Sequence, residues 1–320
     1  MAPLSSPAVS THPEIPVVVV GVGHLGRHHL RLAATLPGWR CTGAFDTDTE
    51  RCGELCAAHG VPALGSLTEA VERGAAAIVA TPTVTHGDIV RPFLEAGRHV
   101  LVEKPIASSV AEAESLVEAA ARHGVVLGVG HVEFYNPAVQ AVLALAPRPR
   151  YIETQRLSPF TRRSLDIDVV LDLMVHDLQI AQALCGGQAI AEVRAAGVPV
   201  LSDRTDLANV RLQFANGTVA NLTASRVSSE RVRKLRIFAT DEYFSVDYAE
   251  QSVHAVRLRR GAEPEIEPLA VPVTPCEPLA AEHLAFQAAC RGEPGPFVDG
   301  TAGAAALAAA VAVVEAIGAP

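Results

Sequence analysis

The sequence is short of basic charge, of cysteine and of any long, strongly apolar run. Its 26 lysines and arginines face 35 aspartates and glutamates, a formal net charge of -9. A field of that sign opposes phosphate backbones, so nucleic acid is not an expected partner, although a local basic patch can still hold one small anion. The six cysteines, Cys41, Cys52, Cys56, Cys185, Cys276 and Cys290, are too scattered for a disulfide framework. Cys52 and Cys56 sit one helical turn apart, but no second Cys/His pair at zinc spacing accompanies them. They read as helix residues, and no metal site is expected. No stretch reaches the ~20 strongly apolar residues that span a bilayer, and the alanine-rich run near the C-terminus is only weakly hydrophobic. Residues 1–13 lack the basic start and apolar core of a signal peptide and read as a frayed, disordered tail. The triplets at Asn216 and Asn221 would carry glycans only in a secreted chain. The expected setting is the reducing cytoplasm, with no membrane partner.

What the sequence does have is core. Hydrophobic residues make up 49% and charged residues 19% of 320 positions, enough for two domains. The first organised stretch is VVVVGVGHLGRHH, Val17 to His29. Four valines in a row read as a strand buried on both faces of a parallel sheet. Gly21, Gly23 and Gly26 follow with the spacing G-x-G-x-x-G. Gly21 permits a tight turn, Gly23 lets a pyrophosphate approach the backbone, and Gly26 lets the next helix pack against the strand. The helix N-terminus then offers N–H groups to the phosphates. Asp46 closes the second strand, 20 residues past Gly26, where a dinucleotide fold places an acid on the adenosine ribose. A carboxylate there accepts from the ribose hydroxyls and repels a 2′-phosphate, which favours NAD over NADP. Asp46 can also cap the helix starting near Thr49, and the two readings are compatible.

Strands and helices then alternate. A short strand is expected near Val61–Leu64, and an apolar strand at Ala75–Ala80 runs into Thr81-Pro82-Thr83-Val84-Thr85-His86. In an open parallel sheet that end of a strand is where ligands sit. The strand His99–Val102 ends in Glu103-Lys104-Pro105. A lysine there can hydrogen-bond or exchange protons with a substrate hydroxyl, or form a Glu–Lys surface pair. After Val125–Val129 comes the crossing GHVEFYNP, residues 130–137. Alternation of this kind predicts a doubly wound sheet.

The early GVGHLG, the ATPTVTH loop, the LVEKP strand end and the VGHVEFYNPA crossing occur in one order over about the first 140 residues. In this the chain resembles the family named for glucose–fructose oxidoreductase, inositol dehydrogenase and MocA. The resemblance implies an NAD(P)-dependent enzyme acting on hydroxyl carbons of sugars and polyols. It implies an NAD-binding Rossmann domain, here 14–135, and a second α/β domain with a large, mostly antiparallel sheet, here 136–320. The C-terminal helix is a candidate to pack back on the first domain. The open sheet implies a homodimer or homotetramer. Lys104 matches the active-site lysine, Thr81, Pro82 and His86 the loop beside the nicotinamide riboside, and Asn136 a residue near nicotinamide and substrate. The expected cofactor set also takes in His24, Leu25, Thr83 and Glu103, and the substrate set Tyr135.

In the second half, Val169–Leu184 is expected to be one helix carrying Asp172 and His176 four residues apart on one face. Family members often show D-x-G-x-H here; Met174 replaces the glycine. Histidine titrates where proton transfer is useful, and a carboxylate one turn away can orient it. Six period-two strands follow between Val193 and Leu258, with a hairpin signal at Asn216-Gly217. Residues 261–278 read as loop, and two terminal helices close the chain. The expected reaction is hydride transfer to NAD from a sugar carbon, with His176 as base, Lys104 at the oxygen and Asp172 orienting. Arg156, Arg162 and Arg163 are either phosphate ligands or solvated ion pairs. The runs DVVLDLMVHDLQI and VGHVEFYNPA are similar to family members acting on UDP-N-acetylglucosamine at C3, giving the 3-keto sugar. The alternatives are an inositol or free-sugar dehydrogenase, a reductase of a dihydrodiol or tetrapyrrole, and a non-catalytic NAD-binding sensor.

Overall fold

The valine run is buried because its strand is paired on both sides within a parallel sheet. In the computed structural model, which describes residues 13–160 and 167–318, β1 (Ile15–Val20) pairs with β2 (Trp39–Phe45) on one side and β3 (Ala76–Val79) on the other. The strand order is β2-β1-β3-β4-β5, with β4 at His99–Glu103 and β5 at Leu127–Gly130. Helices α1 (Gly26–Thr35), α2 (Thr49–His59), α3 (Leu67–Arg73), α4 (His86–Glu95) and α5 (Val110–His123) make the crossovers. Their starts follow local chemistry: Asp48, Ser66 and Ser109 accept the amides of Arg51, Glu69 and Glu112. The strand expected at Val61–Leu64 is reduced to a bridge between Ala44 and Ala63. Pro62 accepts from Ala44 N–H but has no N–H of its own to extend the ladder. Cys52 and Cys56 are core residues, and the cysteines are free thiols.

The chain forms two compact units. The first comprises residues up to Gly130 together with Leu279–Gly300, and the second His131–Pro278 together with Thr301 onward. The returning segment completes the first core, where Phe286 is fully buried among Leu30, Trp39 and Leu101. It also holds the sheet edge, through an antiparallel bridge from Asp299 to Gly128.

The second unit opens with α6 (Pro137–Ala144) and β6 (Pro149–Leu157). The expected single helix is divided: a π turn, Val170–Met174, precedes α7 (Val175–Leu184). Then come β7 (Ile190–Val198), β8 (Leu207–Phe214), β9 (Val219–Ser225), β10 (Val232–Ala239), β11 (Glu242–Asp247), β12 (Ser252–Arg259) and β13 (Glu265–Pro268). They form one sheet with β6, in the order β13-β12-β11-β10-β6-β9-β8-β7, in which only β6 and β9 pair in parallel. β13 falls in the stretch expected as loop; it is a short, exposed edge strand with no buried face to leave a signal. Helices α8 (Pro278–Cys290) and α9 (Gly300–Ile317) end the chain, α8 in the first unit and α9 in the second. By length and hydropathy α9 could cross a membrane. Here Ala306, Ala310 and Val313 lie in the core with Leu178, Leu212 and Phe244.

One buried ion pair organises the β7–β8 connection. Asp206 accepts the backbone N–H groups of Val200, Leu201 and Ser202 at 2.6–2.9 Å and Nε of Arg226 at 2.7 Å. Arg226 in turn donates to the carbonyl of Ile167 at 2.8 Å.

Candidate active site

The candidate residues are divided between the units, and each set is built by its own strand ends. In the first unit, the glycine turn is set by backbone crowding. A Cβ on Gly26 would stand 1.9 Å from the carbonyl oxygen of Gly21, and one on Gly21, at φ +86°, would meet the Ala80 carbonyl at 2.6 Å. In front of Gly23 the space is open for 4 Å. Leu25, at the N-cap of α1, has no side-chain acceptor with which to occupy the helix N-terminus. Leu25 and His24 are exposed, and His24 lies 3.5 Å from Arg27.

Asp46 is fixed against this turn. It accepts Val22 N–H at 2.7 Å and Asp48 N–H at 2.9 Å, and Arg51 reaches both its oxygens at 3.1 Å. Burial pushes the carboxyl up, but these donors outweigh it and hold the group below the usual carboxylate range. The capping role falls to Asp48, which accepts Arg51 N–H. A cavity of about 380 Å³ is lined by Gly21, Gly23, Asp46, Arg51, Thr81 and Pro82. Open backbone at Gly23, an uncapped helix N-terminus and a fixed anion at the end of β2 fit a dinucleotide.

Three residues expected at the cofactor also brace the structure around them. His86 is fully buried, with Nδ1 2.9 Å from the Pro105 carbonyl and Nε2 3.0 Å from that of Thr81. It ties the loop after β3 to the loop after β4. Burial, against those carbonyls, pushes its pKa below the usual imidazole value. Glu103 turns inward, its two oxygens accepting from His29 Nε2 at 2.9 Å and from Lys104 N–H at 3.2 Å. Asn136 is 2% exposed; its oxygen caps α6 at Ala138 and its amide donates to the Tyr248 carbonyl. Thr83 begins a 3-10 turn, and its carbonyl accepts from Ser108. Lys104 stands half-buried at the end of β4, and its peptide bond to Pro105 is cis.

In the second unit, His176 is in the first turn of α7, 8% exposed, with its ring edge-on to His131 at 5.7 Å. Asp172 is in the π turn and half-buried, and Met174, where the family pattern has glycine, is fully buried at its end. The wider turn, bonded from i to i+5, replaces the simple one-face spacing expected for the pair. Tyr135 is 2% exposed and packs edge-on against Phe134.

Arg156 requires a correction. It was a candidate phosphate ligand, but its guanidinium is buried and spent. Nε and Nη2 fork onto Asp177 at 2.9 and 2.8 Å, and Nη1 meets Glu133 at 2.8 Å. Its face lies 5.3 Å from the centre of the Tyr248 ring. Burial alone would lower its pKa; Asp177 and Glu133 outweigh it and keep the group charged. Arg162 and Arg163 lie outside the described residues. The basic residues that do line a cavity here, of about 430 Å³, are Arg231, Arg233 and Lys234, facing Asp247 and Glu250. Arg233 is also held by Glu133 at 3.1 Å. Sequence reasoning passed over this group although the run RVRK announces it. A larger cavity, about 610 Å³, is lined by Pro149 and Cys185, at the ends of β6 and α7 far from Arg156 and His176.

Comparison with known proteins now bears on this arrangement. Residues 15–131 match a model described as oxidoreductase family, NAD-binding Rossmann fold, and residues 138–245 match one for the GFO/IDH/MocA C-terminal domain. The chain is 39% identical over 303 residues to UDP-N-acetylglucosamine 3-dehydrogenase of Acidithiobacillus ferrooxidans, covering 93% of this chain and 96% of that one. The structure of that enzyme, GnnA, superposes with a TM-score of 0.89 over 96% of this chain and 98% of its own, at 38% identity. Myo-inositol dehydrogenase Hyg17 of Streptomyces leeuwenhoekii is 32% identical over 228 residues, 66% of this chain and 69% of that one.

Proposed function

The chain belongs to the Gfo/Idh/MocA oxidoreductase family, and we propose that within it this protein oxidises the C3 hydroxyl of UDP-N-acetylglucosamine with NAD. The product is the 3-keto nucleotide sugar. The observation that carries this reading is the likeness to the 3-dehydrogenase along nearly the whole length of both chains. NAD, when bound, accepts the hydride at C4 of its nicotinamide. His176 takes the hydroxyl proton as the C3–H bond breaks, a role suited to imidazole near neutral pH. Lys104 stabilises negative charge developing on the oxygen. Asp172 orients His176 or the sugar. With Arg156 paired to Asp177 and Glu133, Arg231, Arg233 and Lys234, which line one cavity at β10, are candidates for a diphosphate.

The experiment is purified protein with NAD and a panel of nucleotide sugars, free sugars and inositols, read as NADH formation. NADH from UDP-N-acetylglucosamine supports the proposal. NADH from an inositol or free sugar alone replaces it with the reading favoured by the inositol dehydrogenase relative.

Asp46 supports NAD over NADP. Asp46→Ala is expected to raise KM for NAD by about 10–100-fold, the equivalent of one or two charged hydrogen bonds. It should also narrow the preference over NADP, because Arg51 is released from its carboxylate partner. Steady-state kinetics with both cofactors checks this, and an unchanged NAD/NADP ratio would remove Asp46 from cofactor choice.

We also propose a cytoplasmic homodimer or homotetramer assembled through the outer face of the eight-stranded sheet. Its support is the row Tyr151, Phe238 and Tyr243 on neighbouring strands, with Phe238 40% exposed. The free thiols suit a reducing compartment. Light scattering on the eluting protein decides the assembly, and a monomer overturns it.

A further inference from the structure

Behind the Lys104 loop the first unit buries four titratable side chains from three elements: His29 on α1, Glu103 at the end of β4, and Glu282 and His283 on α8. The assigned reaction uses none of them directly. They form a chain. Glu103 accepts His29 Nε2 on one oxygen and the backbone N–H of Lys104 on the other. A carboxylate only accepts, so His29 Nε2 carries the hydrogen, and its Nδ1 lies 2.9 Å from His283 Nε2. Glu282 is the odd member. It is fully buried, one of its oxygens lies within 4.8 Å of the facing atoms of His29 and Glu103, and neither oxygen has a hydrogen-bond partner among the described residues.

Two buried carboxylates this close do not both ionise without a cation between them. Glu103 accepts from two donors. Glu282 meets none, and burial, then the charge on Glu103, push its carboxyl well above the usual range. Burial, then His29 and Arg31, hold His283 well below the usual imidazole range. The proton of the cluster therefore rests on Glu282.

We infer that His29 and Glu282 are positioning residues for Lys104: Glu282 closes the buried cluster behind Glu103, and Glu103 ties His29, on the helix that follows the glycine turn, to the Lys104 amide. The inference rests on the role proposed for Lys104. One side chain thus fixes the lysine's backbone to the helix that faces the pyrophosphate. Misplacement of a reacting group by about 1 Å costs on the order of 10²-fold in rate.

The test is hydrogen exchange at the Lys104 amide in the full-length protein, joined to kcat and KM. His29→Leu should speed that exchange by about tenfold or more, the equivalent of one charged hydrogen bond. It should lower kcat by about 10²-fold with little change in KM for NAD. His29→Gln, whose amide can still donate to Glu103, should restore both. Glu282→Gln, neutral and of the same shape, should keep the exchange slow and remove a protonated-carboxyl stretch present in the wild-type infrared spectrum at neutral pH. Unchanged Lys104 exchange in His29→Leu overturns the inference. So does absence of that infrared band, which needs no variant to fold. So does a stoichiometric metal ion in the purified protein that Glu282→Gln loses. Exchange and infrared need no substrate. A chain that oxidises no sugar yet shows both patterns supports the network and overturns only the reaction assigned to it.

Discussion

Lys104→Met is expected to lower kcat by about 10²–10⁴-fold, the usual contribution of a positioned proton-handling or charged group. The stem of methionine is close to that of lysine in length, so packing at the end of β4 is retained while the donor and the charge are removed. The adenosine end of the cofactor is held elsewhere, by the glycine turn and Asp46, so NADH binding should stay within about threefold of wild type. Because the lost interaction is made in the transition state, kcat and kcat/KM should fall together. Steady-state kinetics beside a fluorescence titration with NADH separates the two effects. Normal turnover in the variant would remove Lys104 from the chemistry. Tight NADH binding with no turnover in the wild type, on any sugar of the panel, would move the chain toward a sensor.

Asp206→Asn is expected to cost about 3–5 kcal/mol of stability, the effect of removing one partner from a buried ion pair. The shape is nearly kept, but the side-chain amide turns an N–H group toward backbone N–H groups that the carboxylate now accepts, and Arg226 loses the carboxylate 2.7 Å from its Nε. Burial raises the Asp206 carboxyl, yet the amides of Leu201 and Val200 with Arg226 and Ser202 hold it far below the usual carboxylate range. A group held below its unfolded value stabilises above that value and ceases to do so as pH falls through the folded one. The difference between wild type and variant should therefore be constant from neutrality to about pH 5 and close only in stronger acid. Urea midpoints across that range measure it. A constant difference down to pH 2–3 would mean that shape, not charge, sets the cost.

How far the sequence could be read follows from where each signal resides. The valine run, the glycine spacing and the Asp46 interval are local, and the parallel sheet they announce is present. The alternation in β8 is equally local, since every second residue faces the core. The sheet order of the second unit is not local. β6 pairs with β9 and β10, strands that begin 62 and 75 positions after its own last residue, and no turn motif encodes that. At the site, residue identity alone could not tell a ligand from a brace. Glu103 and Arg156 stand at or near strand ends, and His86 and Asn136 in segments that follow them, where polar residues read as binding groups. What the sequence could not show is their partners elsewhere in the chain: Asp177 for Arg156, Pro105 for His86, His29 for Glu103 and Tyr248 for Asn136. Lys104 and His176, which the family pattern matches directly, remain the chemical candidates. The π turn before α7 left no trace either, because helix and π turn bury residues at nearly the same spacing.

The return of residues 279–300 to the first unit has a consequence in time. On the ribosome, the strands around the glycine turn emerge first, but Phe286, which closes their core, and Asp299, which covers the β5 edge, emerge only after residues 131–278 have been made. At about 5–20 residues per second, that is a delay of roughly 7–30 s. Through that interval the Rossmann sheet carries an open edge at β5 and an uncovered apolar patch around Trp39. The first half of this protein to be translated is among the last to be finished.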